Sequence, residues 1–401
     1  MPYQWGFRSY QRRFKQALQT SHGSWTVREG IILRLTDAAG RVGWGEIAPI
    51  PWFGSETFEQ ALAFCHRLPN ILTDDLIFAV PDTLPSCQFA FESAWECLQE
   101  SAIGQTAWQR DKDAGNQAAF VTDSTLRPQN SDVAVQSAAI AGQNSTLRHQ
   151  SSDVAAQNSK PPSEDPRPNG RSPSPLPTPH SPLPTPPYSA LFPAGDVALH
   201  AWQPLWEQGF RTFKWKIGVE AIATELELLE ALAQALPKPA KLRLDANGGL
   251  STAQATQWLQ ACDAVIEPSN RDVVLEYIEQ PLPTAQFQAM QDLNQRYRTP
   301  IALDESVATL QQLQACYENG WRGIFVIKPA IVGSPSRLRQ FYQHHPIDAV
   351  FSSAFETAIG RQAGLRLAAS LGNPDRALGY GTTHWFEDSD RDDFEQLWQT
   401  L

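Results

Sequence analysis

From Tyr188 onward, short apolar runs that end in a polar residue or glycine alternate with stretches in which apolar residues recur at helical spacing. The runs are Ser189 to Pro193, Thr212 to Ile217, Lys241 to Asp245, Leu275 to Glu279, Ile301 to Asp304, Gly323 to Lys328, Ala349 to Ser353 and Ala377 to Gly381. Segments such as Ala221 to Ala235 and Leu310 to Asn319 carry the helical spacing between them. Eight strands, each followed by a helix at intervals of roughly 25 to 35 residues, predict an α/β fold of the (β/α)-barrel type. In the second run the period of two puts Lys214 and Lys216 on one face and Trp215 on the other.

Residues 1–106 follow a different pattern and predict an α+β domain capping the barrel. Gly30 to Leu35 and Val42 to Ile47 read as strands of a meander joined by Asp37-Ala38-Ala39-Gly40, followed by helices over Thr57 to Leu68 and Leu84 to Ser101. Two loops stand out, Ser21-His22-Gly23-Ser24-Trp25 and the aromatic Pro49 to Ser55. Such loops either close over a ligand or pack on their own domain.

Between the two domains, residues 107–187 lose periodicity altogether. Ser124 to Gln136 is nearly repeated as Ser145 to Gln157, and Ser174-Pro175-Leu176-Pro177-Thr178-Pro179 recurs from Ser181 to Pro186. A segment so rich in Ser and Pro buries too little apolar surface to offset its ordering entropy, and is expected to be a disordered insertion. It is either a polyproline ligand of an unknown partner or an expanded surface linker, and its removal is expected to leave the rest intact.

Composition narrows the function classes. At 401 residues the chain is long enough for two or three units, and its net charge of −11 argues against nucleic-acid binding. No apolar stretch is long enough to span a bilayer, and the start of the chain lacks the features of a signal peptide. The five cysteines show no close C-x-x-C spacing and read as reduced thiols of a cytoplasmic protein.

The candidate chemistry lies at the strand ends. Asp245, Glu279 and Asp304 close three consecutive strands, with Lys214 and Lys216 on the strand before and Lys328 on the one after. Strand carboxyl ends converge on one face of a barrel, so these groups are expected to meet there. Three gathered carboxylates require a cation, and an all-oxygen set favours Mg²⁺ over zinc. A lysine beside another cation is expected to have a depressed pKa suited to a general base. The arrangement suits removal of a proton next to a carboxylate, with the metal supporting the enediolate charge and lysines acting from either face of a small carboxylate substrate.

These residues resemble the enolase superfamily, whose sites pair a Lys or His base with one or two Mg²⁺. The motifs are Lys214-Trp215-Lys216, Asp245-Ala246-Asn247, Glu279-Gln280-Pro281, Asp304-Glu305-Ser306 and Val326-Ile327-Lys328-Pro329. They are similar to the muconate-lactonising branch, and Gly43 to Pro49, Phe53-Gly54-Ser55-Glu56-Thr57 and Ser352 to Thr357 point within it to the o-succinylbenzoate synthase family of menaquinone and phylloquinone biosynthesis. The resemblance implies a syn dehydration of 2-succinyl-6-hydroxy-2,4-cyclohexadiene-1-carboxylate. Lys216 would be the base and then the acid, Lys328 the cation over the opposite face, and Lys214 the group that keeps the Lys216 pKa low and touches the substrate carboxylate. Asp245, Glu279 and Asp304 would bind Mg²⁺, while Ser352, Ser353, Asn247 and Gly54 would lie on the substrate side, the two serines toward the succinyl tail.

Racemases and epimerases of N-acylated amino acids or dipeptides are the nearest alternative, but the Asp-x-Asp expected near the eighth strand is replaced by Gly379-Tyr380-Gly381-Thr382-Thr383. Muconate cycloisomerase fits the metal set but not the N-terminal loops. A non-enzymatic scaffold has no need of three converging acids.

Overall fold

Two strands, β1 (Tyr3–Thr20) and β2 (Gly23–Thr36), run antiparallel as one long hairpin, with a register shift between Arg13 and Leu18. The computed structural model describes residues 1–20, 23–100, 188–266, 273–382, 385–388 and 393–401. The insertion expected over 107–187, with both of its boundaries, lies outside the described residues, as do 21–22 of the first loop. Residues 23–25 of that loop belong to strand β2.

The meander is completed by β3 (Val42–Ile47) beside β2, and the two-residue β4 (Ile71–Leu72) pairs with the start of β1. The helix over 85–100 packs so closely on β3 that a Cβ on Gly43 or Gly45 would lie 2.1 and 2.0 Å from the carbonyl oxygens of Ala94 and Ala90. The Gly-x-Gly spacing of β3 is therefore the imprint of a helix backbone against a strand. Ile31, Leu33, Leu35 and Ile47 from the sheet and Cys87, Ala90 and Phe91 from the helix make the core of this layer.

The second sheet is the expected barrel. Its eight parallel strands are β5 (Tyr188–Leu191), β6 (Thr212–Lys216), β7 (Lys241–Asp245), β8 (Val274–Glu279), β9 (Ile301–Leu303), β10 (Ile324–Ile327), β11 (Asp348–Phe351) and β12 (Leu378–Gly381). They are hydrogen-bonded in chain order, with β12 beside β5, and a parallel bridge from Ser352 to Gly379 closes the ring. Alternation sorts each strand by face. Phe213, Trp215, Leu242, Leu244, Phe325 and Ile327 join the apolar layer beneath the helices, where Trp215 meets Trp258 edge-on at 6.1 Å between ring centroids. Burying an aromatic side chain of this kind contributes about 2–3 kcal/mol, which holds β6 in one register. A smaller cluster of Tyr277, Ala302, Ile324, Val326 and Val350 fills the lumen.

The capping domain is fastened to the barrel by buried charge. Glu46 of β3, fully buried, accepts from the backbone N–H of Thr357 at 2.9 Å and of Gly360 at 2.9 Å, from the Thr357 hydroxyl and from the Tyr10 hydroxyl. It thereby places a carboxylate at the N-terminus of helix Ala358–Leu371, where the free N–H groups and helix dipole favour it. On the far side, Arg337 pairs with Asp82, Arg339 with Glu96, and the Ser336 N–H with Glu92. No helix among the described residues is long and apolar enough to cross a membrane.

Candidate active site

The register of the barrel sets the site. Lys216 pairs with Asp245 and Asp245 with Glu279, so these three residues stand at one level of adjacent strands, and Lys214 lies one inward position below Lys216. Asp304 follows β9 directly, and Lys328 and Ser352 follow β10 and β11. Above them opens a cavity of about 590 Å³, lined by Lys214, Lys216, Asp245, Asn247, Asp304, Lys328, Ser352 and Ser353 among others. Glu279, 1% exposed, lies beneath its floor.

Two ammonium groups compensate the buried acids. Lys214 Nζ stands 2.6 Å from Glu279 Oε1 and 2.9 Å from Asp245 Oδ2, and Lys328 Nζ is paired with Asp304 Oδ1. Lys214, expected to act as the cation beside Lys216, is itself held firmly in the charged form. Burial alone would lower its pKa, but Asp245, Glu279 and Asp304 outweigh that effect and raise the pKa well above the ordinary value. Among the acids, burial pushes Glu279 up to about 8 despite Lys214, and raises Asp304 despite Lys328. For Asp245 the burial cost is overcome by Lys214, Lys216 and Lys328, and its pKa is lowered.

With the carboxylates drawn to these ammonium groups, no three acidic, histidine or cysteine side chains among the described residues stand as a ready-made metal cage. The donor set nevertheless fits a divalent cation. Asp245, Glu279 and Asp304 are at most 6% exposed and end successive strands, and a cation, the Lys214 ammonium, already bridges two of them. On the same wall Asn247 Nδ2 donates to Glu305 Oε1 at 2.9 Å, while Asn247 Oδ1 and Glu305 Oε2 are buried oxygens without a partner. Burial and the Asp245 charge raise the Glu305 pKa, as expected of an acidic wall short of positive charge.

Of the residues expected on the substrate side, Ser353 lines the cavity with its hydroxyl already engaged, and Gly54 stands outside the lining. The Ser353 hydroxyl donates to Glu356 Oε2 at 3.1 Å and accepts from the Phe355 N–H at 2.9 Å and from Thr382 Oγ1 at 3.3 Å. Its hydrogen and both lone pairs are committed, so it acts as a cap of its own loop rather than as a free donor to a ligand. Ser352, whose hydroxyl makes only a 3.4 Å contact to the Gly379 carbonyl, keeps capacity for one. Gly54 does not line the cavity. Its φ of 111° closes the turn Pro51–Phe53, a left-handed conformation costly for any side chain, and its contribution is to aim Phe53.

The aromatic loops pack on one another and also reach the cavity. Trp25 of β2 packs edge-on against Trp52 at 5.0 Å and against Phe355 of the barrel at 5.6 Å, and Trp25, Trp52, Phe53 and Phe355 all line the cavity. The rings make an apolar wall facing the charged floor.

Sequence reasoning missed the role of Gln280. It is fully buried at φ 37°, accepts from the N–H groups of Asp304 (3.0 Å) and Ser306 (3.2 Å), and donates to Leu282 O (2.9 Å) and Ser306 Oγ (2.8 Å). It sets the strand end that bears Asp304 against the one that bears Glu279. The available signal was an amide wedged between a strand-end Glu and a Pro. Asn247 and Phe355, at φ 44° and 60°, are the other non-glycine residues with positive φ among the described residues, and all three flank the site.

Known proteins with this architecture agree. Residues 197–397 match the model described as "Enolase C-terminal domain-like", and residues 9–98 match "MenC, N-terminal domain". The o-succinylbenzoate synthase of Thermosynechococcus vestitus is 34% identical over 402 residues, covering 99% of this chain and 99% of its own. The crystal structure of o-succinylbenzoate synthase from Thermosynechococcus elongatus BP-1, complexed with Mg in the active site, has a TM-score of 0.72 at 33% identity and covers 99% of this chain and 100% of that one. The L-Ala-D/L-Glu epimerase of Bacillus subtilis, with a TM-score of 0.62, is only 17% identical over 96% of this chain and 91% of its own, and shares the fold. Enolase superfamily members bind divalent metal, and the Thermosynechococcus elongatus o-succinylbenzoate synthase structure holds Mg in its active site. With both domains matched and the full length aligned, the chain belongs to the o-succinylbenzoate synthases, dehydrating lyases of the enolase superfamily.

Proposed function

We propose that this chain performs the Mg²⁺-dependent syn dehydration of 2-succinyl-6-hydroxy-2,4-cyclohexadiene-1-carboxylate to 2-succinylbenzoate, on the way to menaquinone or phylloquinone, with Lys216 as base. The observation that carries this reading is the placement of Lys216 and Lys328 in one cavity with Asp245 and Asp304, with Glu279 level with Asp245 on the next strand. Those three acids would hold the metal, which supplies positive charge for the carboxylate oxygens as the substrate loses its proton.

Lys216, as the amine, removes the proton from the ring carbon that bears the carboxylate. The electron pair left behind moves into the carboxylate and then returns to expel the hydroxyl group from the neighbouring ring position. Lys216, now an ammonium on the same face, donates the abstracted proton to that group, which departs as water and leaves an aromatic ring. Lys328 faces the substrate from across the cavity as a fixed cation. Lys214, bound to Glu279 and Asp245, holds the acidic floor together before metal binds and turns to the substrate carboxylate afterwards. The Trp25, Trp52 and Phe355 rings give the cavity an apolar wall, which lowers the polarity around a bound substrate and so strengthens these charge interactions. Among the cavity-lining residues, Ser352 and Asn247 keep hydrogen-bonding capacity to spare for the substrate.

The test is aromatisation followed by absorbance with purified protein and the cyclohexadiene carboxylate, with and without Mg²⁺. Rapid turnover that needs the metal supports the reading. A folded, Mg²⁺-binding protein without turnover would move the assignment to racemisation of N-acylated amino acids.

A further inference from the structure

The Lys328 ammonium has a second partner besides Asp304. Its Nζ lies 4.1 Å from the centroid of the Phe53 ring, and both residues line the cavity. Phe53 comes from the capping domain and Lys328 follows β10 directly, so the contact joins the two domains at the carboxyl end of the barrel strands.

The loop that carries the ring is built to hold it still. The Phe53 N–H donates to Ile50 O at 2.9 Å and the Gly54 N–H to Pro51 O at 3.1 Å, while the Ile50 N–H donates to Ser55 Oγ at 2.7 Å. Buried Glu56 accepts from the N–H groups of Ser86 and Cys87 at 3.0 and 2.8 Å, fixing the loop to the helix over 85–100. The ring itself packs on a cluster that mixes Ile50 and Phe89 of the cap with Ala330 and Ile331 of the barrel.

We propose that Phe53 is a positioning residue, whose ring face holds the Lys328 ammonium over the cavity through a cation–π interaction. The proposal rests on the reading in which Lys328 is the cation facing the substrate. Asp304 cannot do this alone, because a carboxylate engaged by a metal ion has less to offer an ammonium. An aromatic face attracts the ammonium without competing for the metal. The Lys328 side chain is only 11% exposed, so the attraction acts in a largely desolvated setting. The Phe53-Gly54 pair thus has one purpose: the left-handed glycine aims the ring, and the ring places a barrel lysine.

The test replaces Phe53 in the full Mg²⁺-loaded chain with mono-, di- and trifluorinated phenylalanine, which keep the shape of the ring while draining negative charge from its face. The expected result is a stepwise fall in kcat, reaching about tenfold for the trifluoro ring, with KM within about twofold. Phe53→Trp should retain most of the activity and Phe53→Leu should lose at least as much as the trifluoro ring. In NMR spectra of the metal-loaded protein, the Lys328 ε-methylene protons should show an upfield ring-current shift that disappears in Phe53→Leu. A flat kcat across the fluorinated series, or an effect confined to KM, overturns the positioning role. Lys328→Ala separates the two readings: if it is inactive while the series is flat, only the role of Phe53 fails. If it retains turnover, the assignment of Lys328 fails.

Discussion

Gln280→Ala tests whether the acidic floor is held in place by neutral hydrogen bonds. The side-chain oxygen accepts from the buried N–H groups of Asp304 and Ser306, and no water can reach them, because Gln280 is fully buried. Truncation leaves both donors unpaired at about 1–3 kcal/mol each, a loss of about 2–6 kcal/mol before any cavity is counted. With a urea slope near 3 kcal/mol per M, the unfolding midpoint should fall by on the order of 1 M. Because the same bonds align the strand ends carrying Glu279 and Asp304, Mg²⁺ affinity, read by titration calorimetry on the folded variant, should weaken about 10–100-fold. Gln280→Glu is the sharper control. It has the same length and can accept from both N–H groups, but it cannot donate to Leu282 O or Ser306 Oγ, and it adds a negative charge beside buried acids. It should destabilise the metal-free protein, with part of the loss restored by Mg²⁺. Wild-type stability together with wild-type Mg²⁺ affinity in Gln280→Ala would refute the reasoning.

Lys216→Ala should lower turnover by about a thousandfold or more while circular dichroism and Mg²⁺ binding stay close to wild type, and retained turnover would remove Lys216 as the base. Burial, helped by Glu46, pushes the Glu356 carboxyl up to about 7. Because the folded pKa lies above the unfolded one, the contribution of this group to stability is complete below about pH 4.5 and is lost as pH rises to 7, on the order of 3 kcal/mol in all. Glu356→Gln should flatten that part of the stability profile measured by denaturant titration from pH 4 to 8, and an unchanged slope would count against it. Replacing residues 107–187 with a short Gly/Ser linker should leave kcat/KM within about twofold, and a larger loss would show that the insertion contributes to the site.

Strand-end chemistry was legible in the chain because a barrel converts strand position into proximity. Lys216, Asp245, Glu279, Asp304 and Lys328 could be placed from the register of apolar runs alone, and the same alternation correctly sent Trp215 to the outer layer. The hairpin was only half legible. β1 opens with Tyr3, Trp5 and Phe7 in strict alternation, but its large apolar residues then change phase to Tyr10 and Phe14 among many polar and charged neighbours, so no single alternation marks a strand over the whole of Tyr3–Thr20.

What the sequence determined by itself is therefore the architecture and the inventory of charges, since both follow from local periodicity. Only the tertiary structure decided how those charges are spent. Lys214 is bound by Asp245 and Glu279, the latter 65 residues away, and Ser353 gives its hydrogen to Glu356. Glu46 seals a helix start 311 residues downstream, and the Phe53 ring meets Lys328 across the domain boundary. Each of these depends on distance and desolvation between residues far apart in the chain, and no pattern along the chain encodes either quantity.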